Sequence, residues 1–264
     1  MIELGVTGWP LRRTHSPLIH GRFLEACGME GVYRKYPVPA PDLASTLTRL
    51  HLLGLRGLNV TFPHKAAALE MCCDMDQTAT DVGAVNTLLS VDGGWKGFNT
   101  DVGGFRRCFA DVGAPDPVFI VGAGGAAMAV ARALTLDSRN FTVFSANPVM
   151  WSGDGHARQL GELNSSLDVS AGTVVNATTL GWNNGDSFPV ERAIPGRFHF
   201  FDLNYNPGWL WRNRLRDRGI RVATGECMLA RQAAESFRIW TGTEVGEEVV
   251  AGVMAELLSP EVRG

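Results

Sequence analysis

Lys65 follows Phe62-Pro63-His64, where an apolar stretch over residues 55–60 hands over to a helical pattern. The first turn of a helix carries unpaired N–H groups and a partial positive charge, so a cation there is disfavoured unless a neighbour wants it. Four polar fragments stand beside apolar runs in the same part of the chain: Thr14-His15-Ser16, Asn59-Val60-Thr61, Asn86-Thr87 and Asn99-Thr100-Asp101. Each falls at an expected strand end or helix start, and ligands of α/β folds bind beyond the carboxyl ends of strands. Taken singly, each fragment is explained as well by capping and turn formation. Thr14 to Ser16 precedes Pro17 and a helical pattern, as a cap would, and Asp101 is a favourable helix-start carboxylate.

A second kind of chemistry is written in IVGAGGAA, residues 120–127. Gly122-x-Gly124-x-x-Ala127 directly follows a buried strand pattern and opens a helix, the context that dinucleotide binding requires. Gly122 would allow the tight turn. Gly124 would let backbone approach a pyrophosphate at the helix N-terminus, and Ala127 would let helix and strand pack closely. A glycine-rich packing turn without a ligand has the same letters. The next strand ends in VFSANP, residues 143–148, with neither the acidic residue that binds a ribose 2′-hydroxyl nor an arginine for a 2′-phosphate. Ser145 and Asn147 could hydrogen-bond either cofactor. His156 and Arg158 are read as exposed loop residues that would have to fold back to reach a phosphate.

The elements that must hold these residues alternate, strand with helix, as in α/β proteins. Residues 2–8, 32–38 and 55–60 read as strands, and 17–27, 42–53 and 64–72 as helices, the last with Pro63 near its first turn. Residues 84–98 read as a hairpin turning at Asp92-Gly93-Gly94. A new unit starts near residue 114. It has further strands over 141–145, 172–177, 198–203 and 220–224, and their near-continuous apolar character implies a sheet covered on both faces. Helical patterns over 228–240 and 247–258 close the chain, and residues 150–156 and 182–187 read as surface loops.

The 264 residues are enough for two small domains, and 45% hydrophobic with 19% charged is ordinary globular composition. A net charge of −3 without a basic run argues against nucleic acid as a partner. No apolar run is long enough for a membrane span, and the first residues lack the basic-then-apolar order of a signal peptide. Five cysteines (Cys27, Cys72, Cys73, Cys108 and Cys227) are an odd, irregularly spaced set without a C-x-x-C, a poor framework for disulfides or zinc. Adjacent Cys72 and Cys73 are expected on a helix as small, half-buried residues. The set implies a reduced, cytoplasmic protein.

THSPLIHGRF, GLNVTFPHK, GAVNTL, GFNTD, GAGGAA, NATTLGW, DLNYNP and GECMLARQAAESFRIWTG occur in the order seen in shikimate dehydrogenases, and the resemblance spans nearly the whole chain. It implies a two-domain α/β fold with the active site in the cleft between the domains. Residues 1–101, completed by the helices of 236–264, would be the substrate and catalytic domain, and 102–235 the Rossmann-like dinucleotide domain. It implies reversible hydride transfer between NADP (alternatively NAD) and carbon 3 of shikimate or 3-dehydroshikimate, with neither metal nor flavin. Lys65 and Asp101 would meet at the reacting hydroxyl. There the helix start lowers the lysine pKa and the carboxylate raises it, and a lysine under opposed influences can trade a proton as hydride moves. Thr14, Ser16 and Tyr205, with Thr61 close by, would bind the substrate carboxylate. Asn86, Asp101 and Gln232, beside Asn59, would hold the ring hydroxyls. Gly122, Ala123, Gly124, Gly125, Ala126, Ser145, Asn147, Thr178 and Gly225 would line the cofactor, with Met228 near the nicotinamide. Core packing would otherwise account for Tyr205 and Met228, and an exposed helix face for Gln232. Partners would be small molecules only, and the protein a monomer or homodimer.

Three departures from the family pattern stand out. Thr14 replaces the usual serine and adds a methyl group to the carboxylate pocket. Ser145-Ala146-Asn147 replaces a basic Asn-Arg-Thr patch, which touches NADP preference. Leu210 and Trp211 stand where a threonine usually follows the Tyr-x-Pro motif. They imply a divergent branch whose substrate is shikimate, quinate or an amino analogue. The rival of another class is a non-catalytic sensor of the same ligands, which would not require both Lys65 and Asp101.

Overall fold

The structure, a computed structural model, describes residues 1–11, 14–180, 188, 193–205, 210–259 and 262. The chain begins with β1 (Ile2–Gly8), α1 (Ser16–Ala26), β2 (Gly31–Pro37), α2 (Leu43–Leu52), β3 (Gly57–Val60) and α3 (Lys65–Leu69). There follow β4 (Cys72–Met75), α4 (Gln77–Val82), the hairpin β5 (Thr87–Val91) and β6 (Gly94–Phe98), and α5 (Asp101–Val112). Next come β7 (Val118–Val121), α6 (Gly125–Leu136), β8 (Phe141–Ser145), β9 (Ala157–Gln159), α7 (Leu163–Ser166) and β10 (Thr173–Asn176). The last elements are β11 (His199–Asp202), α8 (Leu210–Asp217), β12 (Arg221–Thr224), α9 (Glu226–Thr241) and α10 (Glu247–Leu258). They form two compact units, one of Met1–Gly104 with Ala230–Leu257, the other built on Phe105–Leu229.

The first unit holds a mixed six-stranded sheet in the order β2-β1-β3-β5-β6-β4. Strands β2, β1 and β3 run parallel, and β5 is antiparallel to both β3 and β6. This register decides where the polar fragments go. Asn59 pairs with Thr87, and Thr87 with Phe98. The ends of β1, β3 and β6 and the start of β5 therefore share one edge of the sheet, and every one of the four fragments lies there. Below it Leu43, Leu47 and Leu50 of α2 pack with Leu58, Val60, Leu88 and Trp95. Burial of each such side chain is worth ~1.5–3 kcal/mol. Helix α9 docks on the sheet through Trp240, whose indole N–H donates to the Leu88 carbonyl at 2.9 Å. A side chain at Gly57 would run into that ring.

The second unit is an all-parallel sheet in the order β12-β11-β10-β7-β8-β9. Renumbered from β7, this is the doubly-wound order 3-2-1-4-5-6, which reverses direction between β7 and β10. Val118 to Val121 are all buried, as are Val174, Val175, Phe200 and Phe201, so both faces are covered.

Several expectations need correction. The helix from residue 64 stops at Leu69, and Cys72 and Cys73 lie on strand β4, Cys72 half-buried and Cys73 exposed. Cys72 stays close to the helix end through a thiol hydrogen bond to the Ala68 carbonyl. Cys108 and Cys227 form a disulfide across 119 residues. The spacing hid it because α5 and α9 become neighbours only on folding. Arg158 is on edge strand β9 rather than in a loop, paired with Phe144. The expected loop at 182–187 and residues 206–209 of the Tyr-x-Pro departure lie outside the described residues.

Candidate active site

Lys65 opens the short helix α3, and its place is set from both sides. His64, 1% exposed, makes a 2.6 Å hydrogen bond to the Val38 carbonyl, while the Lys65 carbonyl accepts from the N–H of Val85. The ammonium donates to Asp101 Oδ2 at 2.5 Å, with the lysine side chain 21% and the aspartate 9% exposed. An anion at the first residue of α5 thus answers the cation at the first residue of α3. Asp101 Oδ1 accepts from Asn86 Nδ2 at 2.9 Å, so each carboxylate oxygen has its own donor.

The other polar fragments of this unit converge on the same edge. Asn99 caps the approach to α5, giving its Nδ2 to Ala84 O and taking the Asp101 N–H on its Oδ1. Gln232, on α9, is 8% exposed, with Oε1 at 3.3 Å from Thr100 Oγ1 and 3.5 Å from Asn86 Nδ2. The exposed-face alternative for Gln232 is therefore overturned. Thr14 donates its hydroxyl to the buried Ser16 Oγ at 3.1 Å and accepts the Ser16 N–H on its own hydroxyl oxygen. Thr61 donates its N–H to Thr7 O, tying the end of β3 to β1. Tyr33, which the sequence did not single out, gives its hydroxyl to Asn59 Oδ1 at 2.7 Å. Burial pushes its pKa well up, opposed by a hydrogen bond with Ser16.

In the second unit the glycine turn follows β7 at the sheet reversal. Gly122 has φ +125°, and a Cβ there would meet the Ala177 carbonyl at 2.9 Å. Only glycine fits such a position. A Cβ on Gly124 would meet nothing within 4 Å, so this backbone faces open space where a phosphate could come close. Gly124 is the N-cap of α6 with no side-chain cap, so the first-turn N–H groups of Gly125, Ala126 and Ala127 are left for an anion. Ala127 is fully buried, as close helix–strand packing requires. These features fit a dinucleotide. Ala123 lies within the turn. Ser145 takes the Asn147 N–H on its Oγ, while Ala146 and Asn147 are exposed. The Thr178 hydroxyl is already committed to Asn176 Oδ1 at 2.6 Å, so it shapes the loop. Gly225 lies against the backbone of Leu203 with no room for a side chain, and Met228 is buried. Tyr205 has its pKa pushed up to about 12 by burial and the nearby Glu226 carboxylate, so its hydroxyl keeps its proton at neutral pH. Sequence reasoning also missed the buried ion pair Arg212–Asp202, 2.7 Å, which fastens α8 to the end of β11 beside Asn204.

A doubly-wound dinucleotide unit joined to an α/β unit bearing a Lys–Asp pair defines a nicotinamide-dependent dehydrogenase in class. The profile of the shikimate dehydrogenase substrate binding domain matches residues 6–88, and that of the shikimate 5'-dehydrogenase C-terminal domain matches residues 226–254. A shikimate dehydrogenase (NADP(+)) of Anaeromyxobacter sp. is 34% identical over 95% of both chains. That of Moorella thermoacetica is 35% identical, covering 99% of this chain and 95% of its own. The crystal structure of shikimate 5-dehydrogenase from Thermus thermophilus in complex with NADP(H) and shikimate superposes with a TM-score of 0.85 at 31% identity, over 97% of this chain and all of that one. The chain belongs to the shikimate dehydrogenase family.

Proposed function

We propose that the protein catalyses the reversible NADP-dependent reduction of 3-dehydroshikimate to shikimate, with Lys65 and Asp101 at the reacting oxygen. The observation that carries this is the 2.5 Å Lys65–Asp101 pair at an edge lined with amides and hydroxyls. Such groups suit a polyhydroxy acid, because each buried polar group of a ligand needs a partner. The bound nicotinamide would supply or accept the hydride at carbon 3. Lys65 Nζ gives a proton to the carbonyl oxygen in reduction and takes it back in oxidation. Asp101 holds the ammonium through Oδ2 and a ring hydroxyl through whichever oxygen the substrate reaches. Asn86 and Gln232 orient the ring hydroxyls beside Asn59. The hydroxyls of Thr14, Ser16 and Thr61 take the carboxylate.

The uncapped turn from Gly122 to Ala126 would hold the pyrophosphate. Ser145 and Asn147 would stand near the ribose end and Met228 by the nicotinamide, while Thr178 and Gly225 shape the neighbouring loops. NAD is the alternative cofactor, because no guanidinium stands in the Ser145-Ala146-Asn147 turn. Quinate is the alternative substrate, because Thr14 narrows the carboxylate corner by a methyl group. The reading goes with a cytoplasmic monomer or homodimer acting on small molecules. It draws on three free thiols, Cys27, Cys72 and Cys73, and on the lack of any helix, among the described residues, long and apolar enough to cross a membrane. The Cys108–Cys227 bridge is the observation against a wholly reduced chain.

The test is turnover of shikimate and quinate with each cofactor, by the wild type and by Lys65→Ala. Shikimate with NADP should be the preferred pair, and the variant should lose ~10²–10⁴-fold in kcat with a smaller change in KM. A correctly folded Lys65→Ala protein with near-normal turnover would refute the assignment.

A further inference from the structure

Beneath the Lys65–Asp101 pair runs a chain of buried polar side chains, of which the mechanism uses only Asn59. Ser236 and Thr87 are fully buried, Thr100 is 1% exposed and Asn59 7%. Ser236 Oγ lies 2.8 Å from Thr87 Oγ1, 3.2 Å from Thr100 Oγ1 and 3.1 Å from Asn59 Nδ2, and donates to the Gln232 carbonyl at 3.0 Å. A packed apolar core here would avoid the desolvation of these four polar side chains, and a polar network is favourable only when every member is satisfied.

Two backbone groups set the direction of this network. The Thr100 N–H can only donate, and it donates to Asn86 Oδ1 at 2.8 Å. The amide of Asn86 must then turn its Nδ2 toward Asp101. The Asn86 backbone carbonyl can only accept, and it accepts from Asn59 Nδ2 at 3.2 Å. The Asn59 Oδ1 must then face Tyr33, whose hydroxyl donates to it. Both threonine hydroxyls also reach Asn86 Oδ1, Thr87 at 2.9 Å and Thr100 at 3.2 Å. One hydroxyl, that of Ser236, touches Asn59, Thr87 and Thr100 together.

We infer that Ser236 and Tyr33 are positioning residues for the reaction: through Asn59, Thr87 and Thr100 they hold the Asn86 amide so that its N–H faces Asp101. The inference rests on the proposed acid–base role of Lys65 and Asp101. With Asn86 held, Asp101 keeps Oδ1 on the Asn86 amide and Oδ2 on Lys65. When the amide is loosened the carboxylate can turn away from Lys65, and the proton has to move from a poorer geometry.

The test uses Ser236→Ala, Tyr33→Phe and the double variant of the full chain. Each single change should lower kcat about tenfold, since small misplacements at a reacting centre are costly in rate. KM for shikimate should stay within about twofold, so that the loss falls on kcat alone. The double variant should be little worse than the poorer single one, because both act through Asn59. A folded variant with unchanged kcat would overturn the inference, as would KM rising with kcat intact. Tyr33→Phe removes one oxygen and keeps the ring, so it carries the test if Ser236→Ala does not fold. The NMR signals of the Asn86 side-chain amide hydrogens need no turnover. They should shift and exchange faster with solvent in the variants even if shikimate is not the substrate, and signals unmoved by either change overturn the inference independently of the proposed function.

Discussion

Replacing His20 with phenylalanine should remove a large part of the acid sensitivity of the first unit. His20 is completely buried on α1, stacked on Tyr33 with ring centroids 4.4 Å apart and ringed by Trp240, Phe23 and Phe237. Neither ring nitrogen has a hydrogen-bond partner. Burial lowers its pKa from 6.5 to about 3, and Asn59 opposes the shift only in part, its amide oxygen already accepting from the Tyr33 hydroxyl. The folded state therefore keeps the ring neutral, while the unfolded chain takes up a proton below pH 6.5. Stability from this group is complete above the unfolded pKa and is lost as pH falls toward the folded one. Linkage gives a loss of about 2 kcal/mol by pH 5, about 3 by pH 4, and about 5 once pH is below both values. Against a typical stability of ~5–15 kcal/mol, this one ring decides whether the unit survives mild acid. Phenylalanine has a similar shape, fits the aromatic cluster and does not titrate. Because two units need not unfold together, the assay is hydrogen exchange of the β1 and β3 amides at pH 7 and 5, corrected for intrinsic exchange. The wild type should lose about 2 kcal/mol more protection than His20→Phe over that interval. Equal losses in the two proteins would show that the ring is hydrated or protonated in the folded state, and would refute the reasoning.

Ser16→Ala should chiefly raise KM for shikimate, as expected of a contact made equally in ground and transition states. Thr14→Ser should alter the ratio of shikimate to quinate efficiency, and unchanged kinetics in both variants would remove these residues from the carboxylate pocket. Ala146→Arg should shift the ratio of kcat/KM with NADP and NAD toward NADP, since a guanidinium matches phosphate geometry. A wild-type ratio already strongly in favour of NADP and unmoved by the arginine would transfer the role to another cation, Arg158 on β9 being the nearest in register. Alkylation of the unfolded chain without reductant should label the three free cysteines, and reduction should expose all five while costing ~2–4 kcal/mol of stability. Five labels without reductant would contradict the bridge.

The sequence by itself determined the alternation of elements and the identity of the polar groups. The strand patterns at residues 2–8 and 141–145 and the closing helix at 247–258 coincide with β1, β8 and α10, because side-chain periodicity and turn residues act over a few neighbours. Lys65 was legible as an anomaly, since a cation at a helix start conflicts with the backbone dipole whatever the rest of the chain does. The anion that resolves the conflict was not legible from spacing. Asp101 reaches Lys65 only because β5 and β6 run antiparallel beside β3 and bring the start of one strand and the end of the next to the edge where β3 stops. Register is a property of strand pairing, and a shift of one residue would turn these side chains to the other face. The same limit hid Ser236, whose letter on an amphipathic helix is indistinguishable from any small residue until α9 packs it between two threonines and an asparagine. It hid Cys108 and Cys227 as well, 119 residues apart in sequence and covalently joined in space. Local periodicity is short-ranged and additive along the chain, whereas a site is a set of distances between elements, and those distances exist only once burial of the apolar faces has chosen one packing.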